Sequence, residues 1–141
     1  MPVERLEATE WLHAPRLPLF DAYRGVCHSQ PPDLFEPAES DQRDLCNCGY
    51  ARDRCSRLPT GSPDAVRFSV IGDAGGRVRI IWVMEKDHSP VEFGTLEYAD
   101  CKLSSENLSA TPLLTAQATA FIRSYLDRTS KQQSLLAGAG G

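Results

Sequence analysis

The chain lacks any run of roughly 20 apolar residues, which is the length that a membrane-spanning helix requires. Its N-terminal residues carry Glu4, Glu7 and Glu10 and contain no apolar segment of the kind found in secretory signals. We therefore expect a cytoplasmic protein with no membrane partner. In that compartment thiols stay reduced, so clustered cysteines favour metal or redox chemistry over disulfide bonds.

Motifs of several enzyme classes are missing as well. The sequence has neither a GxGxxG nor a Walker phosphate loop, and no two carboxylates are spaced for acid–base catalysis. The net charge of −4 argues against a general nucleic-acid-binding role. These absences favour a non-enzymatic protein that acts through a protein partner. The sequence identifies neither that partner nor the oligomeric state.

Cysteine is the informative residue type, because four of the five cysteines fall within a short stretch. Their spacing is C-x18-C-x-C-x6-C. Thiolates are soft ligands that select zinc, copper(I) or iron–sulfur clusters, and the neighbouring Arg54 and Arg57 could balance their negative charge. We predict a metal centre whose ligands are Cys27, Cys46, Cys48 and Cys55. Cys101 is the possible substitute, with Cys48 the least secure of the four.

The spacing bears on the identity of the metal. Structural zinc sites usually use C-x2-4-C pairs, and this chain has no CxxC and only one CxC. A single zinc needs sulfurs about 3.8 Å apart, whereas an iron–sulfur cluster accepts wider spacing. We slightly prefer an iron–sulfur cluster for electron transfer or sensing. A zinc-stabilised interaction module is the alternative function. A thiol-dependent enzyme that uses His28 as the base is the second alternative. The sequence also allows the four cysteines to be thiols without a metal, or to form disulfide bonds.

Residues 65–98 show the period-2 alternation of β-strands. Val66, Phe68 and Val70 alternate with polar residues, and Val78, Ile80, Trp82 and Met84 share one face of the next strand. The third strand changes phase at Gly94, which predicts a β-bulge there with Phe93 and Leu96 both in apolar surroundings. Residues 111–129 have helical spacing, and the predicted apolar face consists of Leu114, Ala118, Phe121, Ile122 and Tyr125.

These patterns together predict an α+β fold: a three-stranded antiparallel β-meander packed against a C-terminal helix. An N-terminal cysteine-rich zone of helices and loops, residues 1–64, would contain the metal site, with a first helix over Val3 to His13. We predict one domain over residues 1–129 and a disordered tail over residues 130–141.

Overall fold

The computed structural model describes residues 2–5, 23–27, 29, 34–51, 54–58, 61–105 and 112–139. These residues form a four-stranded antiparallel sheet, a long C-terminal helix and a smaller N-terminal part. The α+β class is therefore confirmed. No helix of the described residues is both long enough and apolar enough to cross a membrane.

The sheet is a meander in which each strand pairs with the next one along the chain. Its strands are β3 (Ala65–Ala74), β4 (Arg77–Lys86), β5 (Ser89–Ala99) and β6 (Lys102–Ser105). The predicted count of three strands is wrong, because β6 follows β5 after a tight turn. Asp100 and Cys101 form that turn with positive φ angles of 51° and 58°. Non-glycine residues in this conformation give no clear hairpin signal in a sequence.

The smaller part contains two short strands and a helical turn. β1 (Pro2–Arg5) pairs antiparallel with β2 (Tyr23–Gly25). α1 (Glu39–Asp41) continues directly into a π-turn (Gln42–Cys46). The helix predicted to begin at Val3 is wrong over residues 3–5, where the chain is extended and paired. The rest of that predicted helix lies outside the described residues.

The C-terminal helix α2 (Pro112–Ala139) packs on one face of the sheet. Trp82 is 3 % exposed and Phe121 is 2 % exposed, which confirms the predicted packing of the two apolar faces. The Phe68 and Phe121 ring centroids lie 5.4 Å apart. Other buried members of this core are Val78, Ile80, Leu96, Leu114, Ala118 and Ile122.

The prediction that the helix ends near Thr129 is wrong, because the helix continues to Ala139. Residues 131–138 are exposed, so this extension buries little apolar surface. The intervening Ser, Lys, Gln, Leu and Ala residues tolerate helical backbone, and no proline stops the helix. The loss of the amphipathic pattern after Thr129 marks the end of the packed part of the helix rather than the end of the helix.

The prediction of a β-bulge at Gly94 is wrong, and this glycine has a different role. Gly94 pairs directly with Trp82, and the register shift between β4 and β5 lies farther along, between Met84 and Glu85. Phe93 is 70 % exposed, so it does not reach the core. A Cβ atom on Gly94 would lie 2.7 Å from Cζ2 of Trp82. Gly94 is therefore required because the indole ring lies directly on its backbone.

We expect Gly94→Ala to lower the free energy of unfolding by about 1–3 kcal/mol, the usual cost of overpacking a core. The indole must shift to admit the methyl group. Gly72→Ala is the matched control in the same sheet, because its Cβ would meet Arg79 Cβ at an ordinary 3.8 Å. Urea unfolding of both variants measures the difference. Equal stability of the two would contradict the steric role of Gly94.

Candidate metal centre

An open pocket of about 500 Å³ lies beside the first residues of β3, and all four of the clustered cysteines line it. They come from separate places in the chain: Cys27 follows β2, Cys46 ends the π-turn, and Cys48 and Cys55 follow it. Most of the wall is apolar and includes Val26, Leu45, Leu58, Val66, Met84 and Leu113. The structure thus brings Cys27, Cys46, Cys48 and Cys55 to one cavity.

The fifth cysteine is not brought to this cavity. Cys101 lies just after β5. The last residue of β5, Ala99, pairs with Arg77 of β4, and Arg77 in turn pairs with Ala74, the last residue of β3. The cavity is at the opposite end of β3, at Ala65. At ~3.3 Å per residue these two ends are about 30 Å apart. Cys101 therefore does not fit the role of substitute ligand.

Three of the thiols are close enough to affect one another electrostatically. Loss of hydration is the largest of the causes that raise the pKa of the Cys46 thiol to about 11. Repulsion from Cys27, Cys55 and Asp41 also contributes to this rise. Cys46 is nevertheless exposed to solvent, whereas Cys27, Cys48 and Cys55 are half-buried. As thiolates, these three groups would need a cation between them or beside them.

Cys27 has the most developed hydrogen-bonding environment of the four. Its backbone N–H donates to the carbonyl oxygen of Phe35 at 2.6 Å, and its sulfur lies 2.9 Å from Oγ of Ser29. Burial alone would raise the pKa of this thiol. Hydrogen bonds from the hydroxyl and backbone of Ser29 and from Arg57, together with the positive charge of Arg57, lower it on balance. These contacts therefore favour the thiolate form of Cys27 relative to an isolated cysteine.

Two arginines contribute positive charge near the sulfurs. Burial raises the pKa of the Cys48 thiol; the positive charge of Arg54 lowers it in part, and the nearby Asp44 raises it further. The guanidinium carbon of Arg57 lies 4.7 Å from the centre of the Phe35 ring. The Nε of Arg57 is buried and has no hydrogen-bond partner among the described residues. The Arg57 charge acts on Cys27 and would be balanced in part by a thiolate there.

Two amide side chains, which the sequence analysis missed, tie the cysteine-bearing segments together. Gln42 is 2 % exposed; its Nε2 donates to the carbonyl oxygen of Pro37 at 2.7 Å, and its Oε1 accepts from the N–H of Gly25 at 3.0 Å. Asn47 accepts from the N–H of Tyr23 at 2.8 Å and donates to the carbonyl oxygens of Tyr23 and Gln42. Gln42 lies between two charged residues and Asn47 between two cysteines, and neither position belongs to a sequence pattern that indicates a buried amide.

The segment after Cys48 is fixed against the sheet. A Cβ atom on Gly49 would lie 2.8 Å from Cβ of Ala65, so only glycine allows this close approach. The hydroxyl of Tyr50 donates to Glu85 at 2.8 Å and accepts from the N–H of His88 at 3.1 Å. The rings of Tyr50 and His88 are stacked with centroids 4.3 Å apart. These contacts hold Cys48 beside the start of β3.

The arrangement is not that of a closed single-ion site. Among the described residues, no three Cys, His, Asp or Glu side chains form a group that could hold one metal ion. His28, the neighbour of Cys27, lies outside the described residues. The four thiols instead line a cavity larger than one ion would fill.

Comparison of the chain with protein-family models, with curated proteins and with solved structures finds no match.

The raised pKa of Cys46 has a consequence for the metal-free protein. A thiol whose folded pKa is above its ordinary value of 9.0 stabilises the fold below pH 9 and loses that contribution as pH rises towards about 11. We expect the midpoint of thermal unfolding to fall across this interval, and to fall less in Cys46→Ala. Cys101→Ala is the control, because Cys101 is remote from the other thiols. Parallel pH curves for all three proteins would contradict the expectation.

Proposed function

We propose that the chain is a small cytoplasmic metal-binding protein whose cysteine-lined pocket holds an iron–sulfur cluster, used in electron transfer or sensing. The observation that carries this proposal is the convergence of Cys27, Cys46, Cys48 and Cys55 on one cavity. In a reducing compartment such thiols stay unpaired and available as ligands. Iron–sulfur clusters are held by four cysteine thiolates.

Electrostatics supports the same function. Four thiolates in one pocket would repel one another, as the raised pKa of Cys46 already indicates for three of them. Iron supplies the compensating positive charge inside the pocket, and Arg54 and Arg57 supply more beside it. Cys27 accepts hydrogen bonds from Ser29 and Arg57, and hydrogen bonds to cluster sulfurs help to set the reduction potential.

The zinc-stabilised interaction module is the second candidate. It is supported by the same four thiols, but it requires them to close to about 3.8 Å around one ion. The Tyr50–His88 stack and the tight packing of Gly49 oppose such a movement on one side of the pocket. A thiol-dependent enzyme is supported only by the lowered pKa of Cys27. Among the described residues no imidazole lines the pocket as a general base.

Anaerobic reconstitution with ferrous iron and sulfide tests the proposal. We expect a brown protein with visible sulfur-to-iron charge-transfer absorption and release of protons from the thiols on loading. Zinc binding in the same preparation, with no uptake of iron, would favour the second candidate. Failure to bind either metal would contradict a metal centre altogether and would leave the pocket as a set of plain thiols.

A further inference from the structure

The sheet has a second face, on the side opposite α2. Side chains alternate between the two faces along a strand, and Ile80, Trp82 and Leu96 lie in the core beneath α2. Their neighbours along β4 and β5 therefore point away from the helix. We call this surface the outer face, and its central residues are Arg79, Ile81, Val83, Phe93, Thr95 and Glu97.

The middle of the outer face is apolar. An antiparallel sheet that is open to water on one side normally carries polar residues on that side. Here Val83 pairs with Phe93 across β4 and β5, and Ile81 pairs with Thr95 in the next row. Phe93 is 70 % exposed, and Ile81 and Val83 are only half-buried. A continuous apolar area on a surface is typical of a site where another protein binds.

Two opposite charges lie beside the apolar area. Arg79 on β4 and Glu97 on β5 are partners in the strand register, in the row that precedes Ile81 and Thr95. Oε1 of Glu97 also lies 3.8 Å from Nη1 of Arg77. Arg79 is exposed and forms no ion pair with any residue in the described part of the chain. Each copy of the outer face thus presents one positive and one negative group on adjacent strands.

A two-fold axis parallel to the strands, between β4 and β5, makes the outer face complementary to itself. It stacks β4 of one copy on β5 of the second copy and keeps each row of residues at the same height. Arg79 then faces Glu97 of the second copy, and Val83 faces Phe93 of the second copy, each contact occurring twice. Two sheets packed in this aligned way lie about 10 Å apart, with their side chains between them.

From the apolar centre and the matched charges we propose that the outer face is the interface of a homodimer, in which the partner is a second copy of this chain. The dimer does not depend on the metal centre, because the outer-face residues differ from those that line the cysteine pocket. Three long strands about 4.8 Å apart offer an area on the order of 500 Å² per copy, which is small for a specific interface. We therefore expect a dimer that dissociates on dilution.

Sedimentation equilibrium of the full chain over a range of micromolar concentrations tests the dimer, with a reductant present to exclude disulfides through the exposed Cys101. Phe93→Asp should raise the dissociation constant by about tenfold or more, because it brings two charges into the apolar centre. Leu136→Asp is the matched control, since Leu136 is 68 % exposed on α2 and its replacement should leave the constant unchanged. A wild-type monomer at every concentration would overturn the inference, and the outer face would then need a different partner. A dimer that persists in Phe93→Asp would overturn it equally.

Charge reversal tests the two-fold arrangement itself. Arg79→Glu and Glu97→Arg each bring like charges together twice, so either variant alone should dimerise several-fold more weakly than wild type. An equimolar mixture of the two variants should recover dimers, since each reversed charge then faces an opposite charge in the other copy. Both variants keep their own like-charge pair within one chain, so recovery in the mixture can come only from contact between copies. A mixture that associates as weakly as its components would overturn the inference.

Discussion

Cys55→Ser should abolish stoichiometric uptake of iron while leaving the sheet and α2 folded. Cys55 lines the pocket and is half-buried, and it lies close enough to Cys46 to raise the pKa of that thiol. A serine hydroxyl is a harder and less acidic ligand than a thiol, so it cannot replace a thiolate at a soft metal. Iron analysis after anaerobic reconstitution gives the first measurement, and far-UV circular dichroism gives the second.

Cys101→Ser is the control for that experiment. Cys101 is exposed and lies at the end of the sheet away from the pocket, so its replacement should leave the iron content unchanged. If Cys55→Ser retained as much iron as Cys101→Ser, Cys55 would not be a ligand. Loss of iron from Cys101→Ser alone would mean that the metal lies elsewhere in the chain.

Gln42→Ala should have the largest effect on the architecture around the pocket. The substitution leaves the N–H of Gly25 and the carbonyl oxygen of Pro37 without their partner and opens a cavity where the side chain is now 2 % exposed. Each buried group left without a partner costs about 1–3 kcal/mol. We expect a loss of about 2–4 kcal/mol, and faster hydrogen exchange at β2 and in the π-turn than in β4.

Gln132→Ala provides the comparison, because Gln132 is exposed on the extended end of α2 and should change stability by less than about 0.5 kcal/mol. The segments in which hydrogen exchange increases in Gln42→Ala decide which part of the fold Gln42 supports. If Gln42→Ala raised exchange uniformly over the sheet and α2, Gln42 would support the whole core rather than the cysteine-bearing segments. If it raised exchange nowhere, the two hydrogen bonds would contribute nothing measurable.

The core was predictable because large apolar residues recur with a simple period. Phe68, Trp82 and Phe121 follow the strand and helix periods, and they meet in the structure as the alternation predicts. Gly94 could not be interpreted in the same way. A glycine that interrupts a pattern indicates a bulge or a close approach equally well, and only the position of the Trp82 ring distinguishes them.

The candidate site was predictable only in its cysteines. Four cysteines in one short zone predicted Cys27, Cys46, Cys48 and Cys55 as a group, and these four residues do line one pocket. The importance of Gly49 comes from its close approach to Ala65, which the cysteine spacing does not indicate. Gln42 and Asn47 were missed because their importance arises from partners in β2 that are distant in sequence.

Iron, zinc and acid-labile sulfide analysis of the full chain, purified without air, tests whether the four pocket thiols together bind a metal centre. We expect iron and sulfide in a fixed ratio to protein, with a brown colour that is lost when Cys27 or Cys55 is replaced. A colourless preparation that contains neither metal and cannot be reconstituted, with all five thiols free, would contradict it.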